Sequence, residues 1–374
     1  MKQFKEWMEK LYPKLKAYSQ SSFVKLKPIL ISILLGLLIG FIIMFIFNPA
    51  QSFEGLYLLL IGGFKDGLPG FIIVLHKSAP IILTGLAVAF AFRTGLFNIG
   101  AAGQFMVGAA AAVLTGHTVH LAQPIGWIIP LVIGATAGAL WGFIPGILKA
   151  TRNVNEVVAS IMMNYIAAYL VSLVIQNTYY NESTTSSLPL PVGSRLPTLF
   201  NSLQLSSVDI SFIVAVIIAI IAHVVLSKTI LGFELKASGF SLDASKYAGM
   251  NTKRNVILAM AISGLFAGIG GSLFYLTASR EYNIGILIAA EGFTGISVAL
   301  LGLGEPIGVI FSAIFLTHLK EGGFNLQSLV YATELSDIIN AVIVYFVSIS
   351  LGIQLYFKHL KKKRALKKEL GGDK

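Results

Sequence analysis

The sequence predicts an all-α, polytopic helical bundle set in a membrane, and three observations carry that reading. Of its 374 residues 55% are hydrophobic and only 12% are charged, against about 25% charged in an ordinary soluble domain. The apolar residues gather into runs near the roughly 20 residues that a membrane-crossing helix needs. The basic residues gather at the ends of those runs, where they set topology.

Ten runs read as spans: 29–48, 78–92, 96–115, 125–148, 156–176, 208–227, 255–277, 285–303, 306–320 and 335–357. Segment 53–77 carries Gly62-Gly63 and Gly67-Leu68-Pro69-Gly70, and its apolar pieces are too short to cross. It is expected as an outer-face or re-entrant element. Residues 1–28 form a basic leader in which Trp7, Leu11 and Leu15 recur at helical spacing. That pattern suits a helix on the membrane surface, and a solvated tail equally. No cleavable signal peptide is evident. The membrane domain is expected over 29–357, with a basic tail over 358–374.

With the N-terminus inside, all of the 28 Lys and Arg residues except Lys65, Lys77, Arg195, Arg280 and Lys320 fall on the inner face. Both termini are therefore expected to be cytoplasmic, and the net charge of +11 speaks for topology rather than nucleic acid. The polar loop 177–207, with Pro189, Pro191 and Pro197, is turn-rich; it suits an external partner or a simple outer cap.

Several chemistries are excluded. There is no cysteine, hence no disulfide, thiolate ligand or thiol nucleophile. No G-x-x-x-x-G-K-[ST] segment is present to cradle ATP, and no Gly-x-Ser-x-Gly elbow. His117 and His120 stand three apart without a carboxylate or third ligand for a metal.

Polar residues inside spans are the informative ones. Arg93-Thr94-Gly95-Leu96-Phe97-Asn98-Ile99-Gly100-Ala101-Ala102-Gly103-Gln104 is poor in helix formers, which predicts a break in the helix. A break is tolerated in a bilayer only beside protein or a water-filled cavity. Asn98 and Gln104 suit hydrogen bonds to a polar substrate, or else to neighbouring helices. In Asn153-Val154-Asn155-Glu156-Val157-Val158-Ala159-Ser160-Ile161-Met162-Met163-Asn164-Tyr165, Asn155 is placed to cap a span and Glu156 to meet its positive end. Asn164 and Tyr165 lie deeper, where polar groups need partners. Glu291-Gly292-Phe293-Thr294-Gly295-Ile296 runs on to Glu305-Pro306-Ile307-Gly308, with Pro306 opening a helix.

A second long polar interruption, between two long apolar runs, is 227–255. Leu231-Gly232-Phe233-Glu234-Leu235-Lys236-Ala237-Ser238-Gly239 leads into Ser241-Leu242-Asp243-Ala244-Ser245-Lys246-Tyr247-Ala248-Gly249. The second half predicts a short helix. Ser241 is its N-cap, Asp243 and Lys246 match its dipole, and Gly249 supplies a left-handed stop. Ala244, Tyr247 and Ala248 share one mildly apolar face. Such a helix suits docking to a partner protein, and a solvated connector as well.

Together these segments resemble the permease subunits of ABC importers for branched-chain amino acids, simple sugars and nucleosides, over roughly residues 78–357. Gly95-Leu96-Phe97-Asn98-Ile99-Gly100-Ala101 with Gly103-Gln104 is similar to a hallmark of the nucleoside type. The resemblance implies a prokaryotic cell-membrane protein without catalytic residues or a cofactor of its own, ATP and Mg being bound by a separate ATPase subunit. It also implies a second permease subunit and an extracytoplasmic substrate-binding lipoprotein. The coupling loop 228–254 would meet the ATPase through Glu234, Ser241, Leu242, Lys246, Tyr247, Ala248 and Gly249. The substrate path would involve Phe97, Asn98, Gln104, Asn164 and Phe293. An inverted repeat of spans 2–5 and 7–10 is implied too, faintly visible as Gly95-Leu96-Phe97-Asn98-Ile99 against Gly292-Phe293-Thr294-Gly295-Ile296; Phe97 and Phe293 would then offer two rings for an aromatic base. The rival readings are a simple-sugar or branched-chain amino acid permease, and an ion-coupled transporter relying on Glu291 or His318.

Overall fold

The computed structural model describes residues 29–349 except 120–122, 201–204, 278–279, 330, 333, 336 and 348. The basic leader 1–28 and the tail 358–374 lie outside the described residues, as does His120. The chain forms two compact units, one of Met1–Leu60 with Gly323–Lys374 and one of Ile61–Gly322.

In the first unit, α1 (Ile29–Phe47) packs on α13 (Asp337–Val347). Gly36 and Gly40 of α1, one helical turn apart, lie against Ile343 and Ile339, so the two helices approach closely through small residues. The Tyr331 hydroxyl donates to the backbone oxygens of Met44 (3.2 Å) and Asn48 (2.9 Å), pinning the end of α1. The short helix α2 (Ser52–Ile61) follows.

The second unit is built around α10 (Thr252–Tyr275). Of the apolar window of α10, 72% is buried, against 28% for α1 and for α7 (Ser211–Lys228). Its neighbours are α3 (Gly67–Arg93), α4 (Ala101–Thr118) and α5 (Ile128–Arg152). Small residues make this possible. A Cβ on Gly138 of α5 would stand 2.5 Å from the Gly264 oxygen, and one on Gly268 of α10 would stand 2.6 Å from the Gly134 oxygen. Two backbones in such contact gain dispersion energy that apolar lipid cannot supply more cheaply. Outside this core, α6 (Glu156–Gln176) packs on α4, and α11 (Ala290–Leu301) packs on α3 through Gly295. The helix α12 (Pro306–Asn325) starts at the expected proline.

Each of the ten expected spans overlaps a described helix, the tenth (335–357) only over Asp337–Val347, and seven described helical stretches are long and apolar enough to cross a membrane. Two of the three others have physical reasons to fall short. The helix α4 has 18 residues but carries Gln104, Thr115 and His117, because its neighbours are protein rather than lipid. The helix α11 begins at Ala290, five residues later than expected, and is short, whereas α13 is described only over Asp337–Val347 of the expected 335–357.

Two expectations need correction. Residues 67–77 are not a separate surface element: they are the first turns of α3, which runs 27 residues and carries Pro80 inside. The sequence reading set 53–77 apart because its glycine-interrupted apolar pieces are each too short to cross; the structure instead runs residues 67–77 straight into the span through Pro80. In a buried helix the lost hydrogen bond is tolerated when neighbours compensate. Residues 230–240, expected only as a polar lead-in, form a helix of their own, α8 (Ile230–Phe240), with Thr229 accepting from the Gly232 N–H at 3.1 Å.

The two segments paired as a repeat also differ in backbone. Gly95–Ile99 is the non-helical link between α3 and α4, whereas Gly292–Ile296 lies within α11. The loop 177–207 folds into a two-residue antiparallel pair, β1 (Tyr180–Asn181) with β2 (Ser186–Ser187). It is tied to the connection before α11 by Ser187 N–H donating to the Tyr282 oxygen at 2.8 Å.

Candidate functional site

The break between α3 and α4 is where the sequence placed its polar candidates, and the structure brings three of them together. Asn98 is fully buried, and Gln104 and Asn164 nearly so. The Asn98 amide donates to Gln104 Oε1 and to Ser263 Oγ, both at 2.7 Å, and Asn98 Oδ1 accepts from the Gly100 N–H at 2.9 Å. Ser263 Oγ donates in turn to the Ala87 oxygen at 2.6 Å. From α6, Asn164 Oδ1 accepts from the Gly103 N–H at 2.8 Å, and its Nδ2 donates to the Ile99 oxygen at 3.1 Å.

These bonds have a common purpose. A helix that starts inside a protein exposes N–H groups with no intrahelical partner, and in a bilayer water is absent to satisfy them. Asn164 supplies one such partner across helices, while Asn98 closes the turn that precedes α4. In this conformation the amides are engaged with each other and with the backbone rather than presented to an opening.

The remaining path candidates are placed apart from that cluster. Phe97 is half-buried and meets the Phe92 ring edge-on at 6.1 Å. Phe293 is 43% exposed on α11, and Tyr165 is exposed on α6. Glu291 is half-buried in the first turn of α11. His318 is engaged through Nδ1, which accepts from the Gly63 N–H at 3.3 Å. His117 stacks on Tyr179 at 4.3 Å. Asn155 caps α6 as expected, accepting from the Val157 N–H at 2.9 Å, and Glu156 pairs with Lys149 of α5 at 2.9 Å.

The second site is the loop 228–254. Its short helix is α9 (Leu242–Tyr247), capped by Ser241 Oγ, which accepts from the Ala244 N–H at 3.2 Å. Gly249 ends it with φ at +82°. Tyr247 is 94% exposed and Phe240 92% exposed; Leu242, Lys246 and Ala248 are exposed too. Between α8 and α9 lies an apolar groove of about 510 Å³, lined by Phe233, Ala237, Phe240, Ala244, Ala248 and Met250 among others. The apolar surface therefore belongs to two helices, not to α9 alone. Ala244 and Ala248 enter the groove, while Tyr247 stands proud of it. Glu234 contributes its backbone oxygen to Asn255 Nδ2 at 3.4 Å.

The two sites are joined. Asn255, at the base of α10, is buried and donates to Ser238 Oγ of α8 at 2.9 Å. Ser263, eight residues on along the same face, holds Asn98. The sequence reading gave no site role to Ser238, nor to Asn255 and Ser263. Their spacing of eight inside an apolar span was the available signal.

Residues 70–348 match the family model described as "Branched-chain amino acid transport system / permease component". The chain is 42% identical over 294 residues to the guanosine ABC transporter permease protein NupP of Bacillus subtilis, covering 78% of this chain and 84% of NupP. It is 33% identical over 335 residues to the nucleoside ABC transporter permease protein NupB of Lactococcus lactis, covering 86% and 91% of the two. The glucose ABC transporter permease protein TsgB13 of Haloferax volcanii is 31% identical over 289 residues, 73% of this chain and 74% of TsgB13. No solved structure matches. A multi-pass membrane protein with this extent of similarity belongs to the branched-chain amino acid transport system permease family.

Proposed function

We propose that this chain is the permease subunit of an ABC importer that carries nucleosides across a prokaryotic cell membrane. The observation that carries the reading is the similarity over most of the chain to permeases named for guanosine and nucleosides. The chain is non-catalytic in this reading. A separate ATPase subunit holds ATP and Mg and seats on α8 and α9. An exposed apolar surface containing Phe240 and Tyr247 fits that role, since aromatic anchors dominate protein interfaces.

A second permease subunit completes the pathway, and an extracytoplasmic lipoprotein delivers the substrate; nucleic acid has no part. Both termini and the 228–254 loop are cytoplasmic, which leaves only Lys65, Lys77, Arg195, Arg280 and Lys320 outside. Closure of the ATPase then pulls α8, which moves the α3–α4 break through Ser238, Asn255 and Ser263. Phe97, Asn98, Gln104, Asn164 and Phe293 line or shape the path when that break opens.

Uptake of labelled guanosine, glucose and leucine by cells with and without this gene tests the reading. Gene-dependent guanosine uptake is expected. Gene-dependent uptake of glucose alone would favour the sugar-type reading, to which the 31% identity with TsgB13 also points.

A further inference from the structure

At the Tyr275 end of α10, opposite the coupling loop, lies a polar cavity of about 440 Å³ lined by Phe274, Tyr275, Thr277, Arg280, Glu281 and Asn283, with Pro189 and Leu190 closing one side. That volume falls in the range of roughly 300–1,000 Å³ typical of small-molecule sites. Two groups in it lack the partners that buried polar groups normally have. The Thr277 hydroxyl, on a side chain 5% exposed, makes no hydrogen bond to a described residue. The half-buried Arg280 guanidinium lies 3.7 Å from the centre of the Phe274 ring, and no hydrogen bond or ion pair to a described residue uses its five donors.

The surroundings define the ligand. Burial lowers the Arg280 pKa, while Glu291, Tyr275, Asp209 and Glu321 act to raise it. Acids already offset this cation at a distance, and Glu281 adds a carboxylate to the wall, accepting from Ser186 Oγ at 2.6 Å. An anionic ligand would meet that field unfavourably, whereas a neutral molecule with donors and acceptors would not. The Phe274 and Tyr275 rings, 4.9 Å apart, and the planar guanidinium give flat surfaces for an aromatic ring. Thr277 and Asn283 suit hydroxyl and base-edge groups.

We propose that this cavity is a receiving site for the transported nucleoside, bound through Arg280, Thr277 and Asn283. The proposal rests on the nucleoside reading of function and adds a substrate contact at the far end of α10 from the ATPase loop.

The chain has no cysteine, so Pro189→Cys, at an exposed position of the cavity wall that makes none of the proposed ligand contacts, places a single thiol of this chain at the cavity mouth. The assembled transporter in nanodiscs is labelled with a small maleimide in the presence of guanosine, glucose or leucine. Guanosine is expected to slow labelling, and glucose and leucine are not. Adding Thr277→Val or Arg280→Gln should raise the guanosine concentration for half protection by about tenfold, as loss of one strong hydrogen bond predicts. Thr277→Ser should restore it.

Labelling unaffected by saturating guanosine overturns the proposal. Protection that appears only when the binding protein is added, with or without guanosine, overturns it in favour of a protein-docking surface. Guanosine uptake without protection removes the site and leaves the function standing. Protection without uptake leaves the site and removes the function.

Discussion

Gly95 and Gly239 touch backbone to backbone. A Cβ built on Gly95 would stand 2.5 Å from the Gly239 Cα, and one built on Gly239 would stand 2.6 Å from the Thr94 carbonyl carbon. The link between α3 and α4 thus rests directly on the end of α8, so displacing α8 has no slack to take up before the break moves.

Filling that contact should be costly. Gly239→Ala forces two backbones apart, and a loss of about 1–3 kcal/mol in stability is expected. Gly95→Ala adds backbone strain, since its φ is +75°, and should be worse. Gly249→Ala is the control, with φ +82° but nothing near its Cβ, so it should lose only the strain component. Thermal unfolding of the purified protein in detergent ranks the three; no loss in Gly239→Ala, with Gly95→Ala equal to Gly249→Ala, would mean that the crossing contact contributes nothing.

The amide cluster should behave as a unit. Asn98→Ala leaves Gln104, Ser263 and the Gly100 N–H short of a partner, at about 1–3 kcal/mol for the buried groups. Gln104→Ala should cost less after Asn98→Ala than before it, because the two share a hydrogen bond. Strict additivity in that double-mutant cycle would show the bond to be energetically idle.

Loss of the Asn155 cap should cost about 1 kcal/mol in Asn155→Ala, with Asn155→Asp close to the parent. Melting temperatures in one detergent decide this. A larger fall for Asp than for Ala would mean that Asn155 serves something other than the start of α6.

On the docking face, Phe240→Ala and Tyr247→Ala should leave the stability of the permease nearly unchanged, since both rings are exposed. ATPase association should weaken by about tenfold or more if these are anchors. Lys246→Ala should do less, because exposed charges contribute little. Co-purification of the ATPase with each variant reads this directly, and full retention with both aromatic variants would place the contact elsewhere.

The sequence by itself determined the helical, membrane-embedded class, the places of the long apolar helices, and the caps at Ser241, Gly249 and Asn155. These follow from local causes: apolar run length, the chemistry of a capping side chain and the conformational freedom of glycine. It also marked the α3–α4 break, because Gly95, Asn98, Gly100 and Gly103 stand together in a short stretch. Only the tertiary structure decided that Pro80 sits inside a helix, that α8 exists as a helix and that Asn98 and Asn164 are spent on helix ends. The pairing of Ser263 with Asn98 across 165 positions, and of Gly95 with Gly239, likewise depends on which helix faces meet. Composition and periodicity say which residues avoid lipid, but a polar residue that avoids lipid can face a cavity or another helix. Its partners, distant in the chain, decide between the two.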